Sequence, residues 1–123
     1  MTFDPQHFLD LATNLIGDTE YNVEARYRTS ISRAYYAAHL ISKEKLEEIG
    51  ITFPVKQDKA EIHKMVIVSL KNKNKVVGDM LWDLRRKRNE ADYDLNTEFN
   101  EYGTQVLLSV AETVIKEASN LKK

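Results

Sequence analysis

Val77, Leu81, Leu84, Arg88 and Ala91 fall at i, i+4, i+7, i+11 and i+14, so one helical stripe that buries its neighbours also carries an arginine. A guanidinium on such a stripe needs a carboxylate, an oriented carbonyl or an anionic ligand, because an unpaired buried charge is too costly to persist. Asp92, one turn further on, is the nearest partner, whereas Glu90 and Asp94 point elsewhere if the helix continues. Arg33 raises the same question on an earlier helix. It shares a side with Tyr36, Ala37 and Leu40, and the small residues Ala34, Ala37 and Ala38 permit another helix to approach closely. Two arginines entering one bundle can share Asp92 as a structural ion-pair cluster, or leave a cationic site for phosphate or for chemistry on it. The pattern leaves both readings open.

Arg85, Arg86, Lys87 and Arg88 form a short basic run. A helix turns about 100° per residue, so the four charges splay around its axis rather than form one flat patch. Asp83 lies at helical spacing from both Arg86 and Lys87. The run is then either a solvated face or a contact for RNA phosphates. Tyr35 and Tyr36 are adjacent and cannot both face the core, and Tyr93 closes the arginine helix. His7, His39 and His63 fall on three different helices with no metal-ligand spacing, which favours structural roles. No Ser/His/Asp constellation and no glycine-rich phosphate loop can be assigned. The absence of cysteine excludes disulfides, thiolate zinc sites and cysteine nucleophiles. No metal and no cofactor is expected.

These side chains have to be held by helices. The 123 residues give room for one domain, 1–123, with 42% hydrophobic and 30% charged residues, an ordinary folded composition. Four glycines and two prolines imply long, rarely interrupted helices. The net charge of −1 hides a basic middle, residues 56–88, between two acidic ends, which would suit an anionic partner or the chain's own termini. A first helix is expected from Asp4-Pro5 to Gly17, and a long second one from about Thr19 to Ile49, stopped by Gly50. Ile51 to Gln57 reads as a connector. Asp58 with Glu61 resembles a capping box for a third helix, 71–75 reads as a turn, and a fourth helix is expected from Lys75 to Asp92. Thr97 is the expected cap of a fifth, with Phe99, Tyr102, Val106, Val110, Val114 and Leu121 on its buried face. The fold class is all-α, an antiparallel bundle of four to five helices, two of them long. No apolar run approaches the roughly 18 residues that a membrane span requires, and Met1 to Asp10 lacks the plan of a signal peptide, so a cytoplasmic protein without membrane contact is expected.

Two segments resemble a known family. Arg26 to Ala38, with Ser32-Arg33-Ala34-Tyr35-Tyr36-Ala37 at its centre, is similar to the second helix of small prokaryotic HEPN (higher eukaryotes and prokaryotes nucleotide-binding) proteins. Arg88-Asn89-Glu90-Ala91-Asp92-Tyr93 resembles the end of that family's fourth helix, and the likeness follows the helix order over most of the chain. The resemblance implies a homodimer that brings two copies of the motif across a cleft. Many of its members are ribonucleases acting as toxins or in phage defence, and some are paired with a nucleotidyltransferase.

In the ribonuclease motif an arginine, proposed to stabilise phosphorane charge, is followed by a polar residue and then a histidine, proposed to move the 2′-hydroxyl proton. Arg88 and Asn89 match the first two positions, and Asp92 joins them as a candidate catalytic residue. The histidine would fall at Tyr93, Asp94 or Leu95, yet no histidine occurs after His63. Tyr93 stands near the tyrosine that accepts AMP in nucleotidyltransferase-paired members. The expectation is a binding or partner subunit that uses Arg33, Arg85, Arg86, Lys87 and Arg88 on nucleotide or RNA phosphates. An active ribonuclease and a ligand-free scaffold are the alternatives.

Overall fold

Four of the helices start where a short side chain turns its oxygen onto a free backbone N–H. Asn22 accepts from Ala25 N at 3.0 Å, Asp58 from Ala60 N at 2.8 Å, Asn74 from Val77 N at 3.3 Å and Asn100 from Gly103 N at 2.7 Å. The computed structural model describes residues 3–55 and 58–123, and all their regular structure is helical: α1 (Gln6–Ile16), α2 (Val23–Glu48), α3 (Lys59–Lys73), α4 (Lys75–Tyr93) and α5 (Glu101–Ser119). The expected connector from Ile51 is irregular up to Val55; its last two residues, 56 and 57, lie outside the described ones, as do Met1 and Thr2.

The helix ends differ from the sequence expectations for local reasons. α2 begins at Val23 rather than Thr19, because the Asp18 carboxylate accepts from Glu20 N at 3.0 Å and turns the chain before Asn22 can cap. Its 26 residues therefore span about 39 Å at 1.5 Å per residue, shorter than the roughly 45 Å that the earlier start implies. At its other end Ile51 N donates to Leu46 O and Gly50 N to Glu47 O, a Schellman pair that requires the positive φ of 105° at Gly50. The turn expected over 71–75 shrinks to Asn74, which ends α3 through its N–H on Leu70 O and caps α4 with its side chain.

Thr97 does not cap α5. Its hydroxyl donates to Asp94 at 2.8 Å, and Asn100 takes the capping place, so Phe99 precedes the helix. The buried face of α5 is Thr104, Leu108, Ala111, Val114 and Ala118. Of the expected series only Val114 is buried, and Tyr102 and Val106 are exposed. A strict i+4 series drifts about 40° around the helix at each step, and the face actually buried mixes steps of three and four.

α2 packs against all four other helices, α4 lies between α3 and α5, and α1 also meets α5. The core fills with Ile31, Tyr35, Leu46, Val66, Leu70, Leu81, Leu84 and Val114, and the buried Ala34, Ala37 and Ala38 keep the neighbours of α2 close. Helix α4 crosses α3 so tightly at Gly78 that a Cβ there would stand 2.6 Å from the Lys71 backbone. No helix among the described residues is long and apolar enough to cross a membrane.

Candidate functional site

The stripe on α4 is buried as its spacing implies: Val77, Leu81, Leu84 and Ala91 face the core, and Arg88 among them is 8% exposed. The Arg88 guanidinium lies 5.2 Å from the ring centroids of both Tyr35 and Tyr36 on α2. Its Nη1 stands 3.5 Å from the Asp92 carboxylate, and its buried Nε has no hydrogen-bond partner among the described residues. One long ion pair and two ring faces thus offset the loss of water around this charge, which leaves the guanidinium under-satisfied.

Arg33 comes to the same place from α2. Its guanidinium lies 4.8 Å from the Tyr36 ring and 5.0 Å from that of Phe8. It reaches Asp92 only through a hydroxyl: Arg33 Nη2 donates to Ser32 Oγ at 3.3 Å, and Ser32 Oγ donates to Asp92 Oδ2 at 3.3 Å. Two guanidiniums therefore lean on the Tyr36 ring with one carboxylate between them. The Asp92 side chain is 28% exposed, so the cluster meets solvent along that edge.

The remaining basic run splays, as its helical pitch requires. Arg85 turns to α3, where Nη2 donates to Ala60 O at 3.5 Å, and its buried Nε has no partner among the described residues. Arg86 pairs with Asp83 at 3.3 Å and Lys87 with Glu90 at 3.5 Å. Asn89 is exposed beside Arg88, and Tyr93 is 75% exposed at the end of α4. The structure brings Arg33, Arg88, Asp92 and Tyr36 together and spreads Arg85, Arg86 and Lys87 around them.

Sequence reasoning missed Arg28. Its Nη1 donates to the carbonyls of Glu90 and Ala91 at 3.3 and 3.0 Å, its Nη2 donates to Thr97 O, and its Nε meets Glu24 at 3.2 Å. The Phe99 ring covers it at 5.2 Å. A cation on the last carbonyls of α4 complements the helix dipole and fixes the end of the helix that carries Arg88 and Asp92. The only sequence signal was an arginine one turn before the Ser32–Arg33 pair.

Two of the histidines meet across helices, which their sequence spacing did not show. His39 and His63 are not isolated: their rings stack at 3.9 Å with 9° between planes, and Tyr35 stacks on both. The Tyr35 hydroxyl and His63 Nδ1 are hydrogen-bonded to each other. Burial, then the His63 ring and the charges of Lys43, Arg85 and Arg88, pushes His39 down to about 3. Burial and the same two arginines push His63 down to about 4. Burial also raises the Tyr35 phenol above its ordinary value. Both imidazoles are therefore neutral at pH 7. Among the described residues no three histidine, aspartate or glutamate side chains gather to hold a metal ion.

Comparison with known proteins adds one finding. A family model described as HEPN domain matches residues 6–121, nearly the whole chain. No curated protein and no solved structure matches.

Proposed function

Because the chain belongs to the HEPN domain family, we propose that it works as a homodimeric subunit that binds nucleotide or RNA phosphates in a toxin–antitoxin or phage-defence system. The observation that carries this reading is the charge imbalance at Tyr36, where Arg33 and Arg88 have one carboxylate, Asp92, between them. A phosphate supplies the missing negative charge and the paired oxygens that a guanidinium fork recognises. Arg88 and Arg33 hold the phosphate, Asn89 adds an amide donor at its edge, and Asp92 orients Arg88. Arg85, Arg86 and Lys87 neutralise further phosphates along a bound strand.

Binding rather than cleavage is the activity proposed. No histidine follows Arg88, and His63 is engaged by the Tyr35 hydroxyl. The exposed Tyr93 is the proposed contact with a nucleotidyltransferase partner: its phenolic oxygen bonds to the α-phosphorus of ATP, pyrophosphate leaves, and the phenolic proton passes to water.

A second reading has its own observation. Arg88 is almost sealed, which suits an architectural ion pair. The double variant Arg88→Met with Asp92→Leu separates the two, because replacing a buried ion pair by apolar groups of similar volume is often neutral for stability. Fluorescence anisotropy with single-stranded RNA is the assay. The binding reading expects a folded variant with at least about tenfold weaker affinity, a loss of about 1.4 kcal/mol. Unchanged affinity in the folded variant rejects it. Cleavage of RNA by metal-free wild-type protein, abolished by Arg88→Ala, would restore the ribonuclease alternative.

A further inference from the structure

We propose that the groove between α2, α3 and the segment after Gly50 is a second binding site, one that takes a planar aromatic ring bearing an anionic group. It goes beyond the phosphate cluster, since neither Arg33 nor Arg88 lines it; Tyr36 alone belongs to both.

The groove encloses about 450 Å³ and is walled by Tyr36, His39, Lys43, Phe53, Ile62 and His63. That volume falls within the roughly 300–1,000 Å³ of small-molecule sites, and the mixture of aromatic wall and few polar groups is the usual one. Its inner wall is the stacked pair His39–His63. His39 is 4% exposed, and its buried Nδ1 has no hydrogen-bond partner among the described residues. A buried polar atom without a partner carries a desolvation cost that a bound ligand can relieve.

Two further features select the ligand. Both imidazoles stay uncharged at neutral pH; the Tyr35 hydroxyl already occupies Nδ1 of His63, so His63 offers its Nε2 and His39 its buried Nδ1, a neutral polar edge that matches the ring nitrogens of a heteroaromatic ligand. Positive charge enters separately, from Lys43 and from Lys59 at the margin. The Lys43 ammonium lies 5.8 Å from the Phe53 ring centroid and 3.5 Å from Glu47. An anionic group on the bound ring displaces Glu47 from that ammonium, while the ring itself rests among Phe53, Tyr36 and the imidazoles. A nucleoside monophosphate and a small aromatic carboxylate share this chemistry.

Titration of the full chain with adenosine monophosphate, and separately with indole carboxylate, distinguishes the two sources. The readout is the imidazole C–H resonances of His39 and His63, with calorimetry alongside. The expected result is a saturable shift of both histidines by at least one probe, with half-saturation at or below about 1 mM. His39→Phe, which keeps a flat ring in the stack but removes its nitrogens, should weaken binding at least about tenfold. Lys43→Gln, at a half-exposed position, should weaken it about threefold and flatten its salt dependence. If His39→Phe does not fold, the Lys43→Gln titration and the wild-type histidine shifts still decide. No saturable shift from either probe at about 10 mM, or wild-type affinity in the folded variants, overturns the proposal. RNA binding that depends on Arg88 but comes with no probe binding overturns this inference alone.

Discussion

Acidification should weaken this fold before its carboxylates titrate. His39 and His63 are neutral in the native state down to about 3 and about 4, and an unfolded histidine takes its proton near 6.5. Between these values the unfolded chain binds more protons than the native one, so stability rises with pH and is lost as pH falls below 6.5. At pH 5 each unfolded histidine lies one and a half units below its midpoint, which favours unfolding by about 2 kcal/mol at 1.36 kcal/mol per unit. The two together remove about 4 kcal/mol, a large share of the 5–15 kcal/mol that holds a typical domain. Asp79 and Asp94, held below the usual carboxylate range by hydrogen bonds from Lys75 and from Thr97, lose their contribution only below about pH 4. The window from pH 7.5 to 5 therefore reports the histidine pair. Urea unfolding at a series of pH values is the assay. The slope should steepen from near zero at pH 7.5 to the equivalent of about two protons taken up on unfolding near pH 5, and to about one in a folded His39→Phe variant. Stability constant to within about 1 kcal/mol across that window would refute the buried neutral stack.

Three other outcomes follow from particular contacts. Gly78→Ala should cost about 2 kcal/mol, because its Cβ meets the Lys71 backbone and must force α3 and α4 apart; urea unfolding measures it, and a neutral result contradicts the close crossing. Arg28→Met should cost about 2–3 kcal/mol by stripping the carbonyls of Glu90, Ala91 and Thr97 of their charged donor, with faster amide exchange over residues 94–100 as the local signature. Sedimentation equilibrium at micromolar concentration should give twice the 14.2 kDa chain mass, and a monomer would remove the proposed homodimer.

What the sequence made legible was local. The α4 stripe from Val77 to Ala91 and the burial of Arg88 follow from the pitch of one helix, and Asp92 one turn away is its partner for the same reason. The all-helical bundle follows from the scarcity of glycine and proline and from the run of helical spacings. What stayed hidden depends on contacts between distant segments. Arg28 holds carbonyls 62 to 69 residues further along the chain, and the Asp94–Thr97 turn that this anchoring steadies is what moves the start of α5 from Thr97 to Asn100. His39 and His63 meet because α2 crosses α3, and nothing in the spacing of either helix announces the stack. The buried face of α5 was misjudged over a difference of about 40° per step, small in any one turn and decisive after three.

The most direct measurement concerns the charge left over at Tyr36. The Nε–H of Arg88 is buried and has no partner among the described residues, so it should exchange slowly enough with water to give a resolved nitrogen–proton resonance. Following that resonance and the Arg33 one while single-stranded RNA is added should show both moving together and saturating at one strand per site. Arginine resonances that stay fixed while RNA binds elsewhere, or with no RNA bound at all, would mean that the two guanidiniums only hold the helices together.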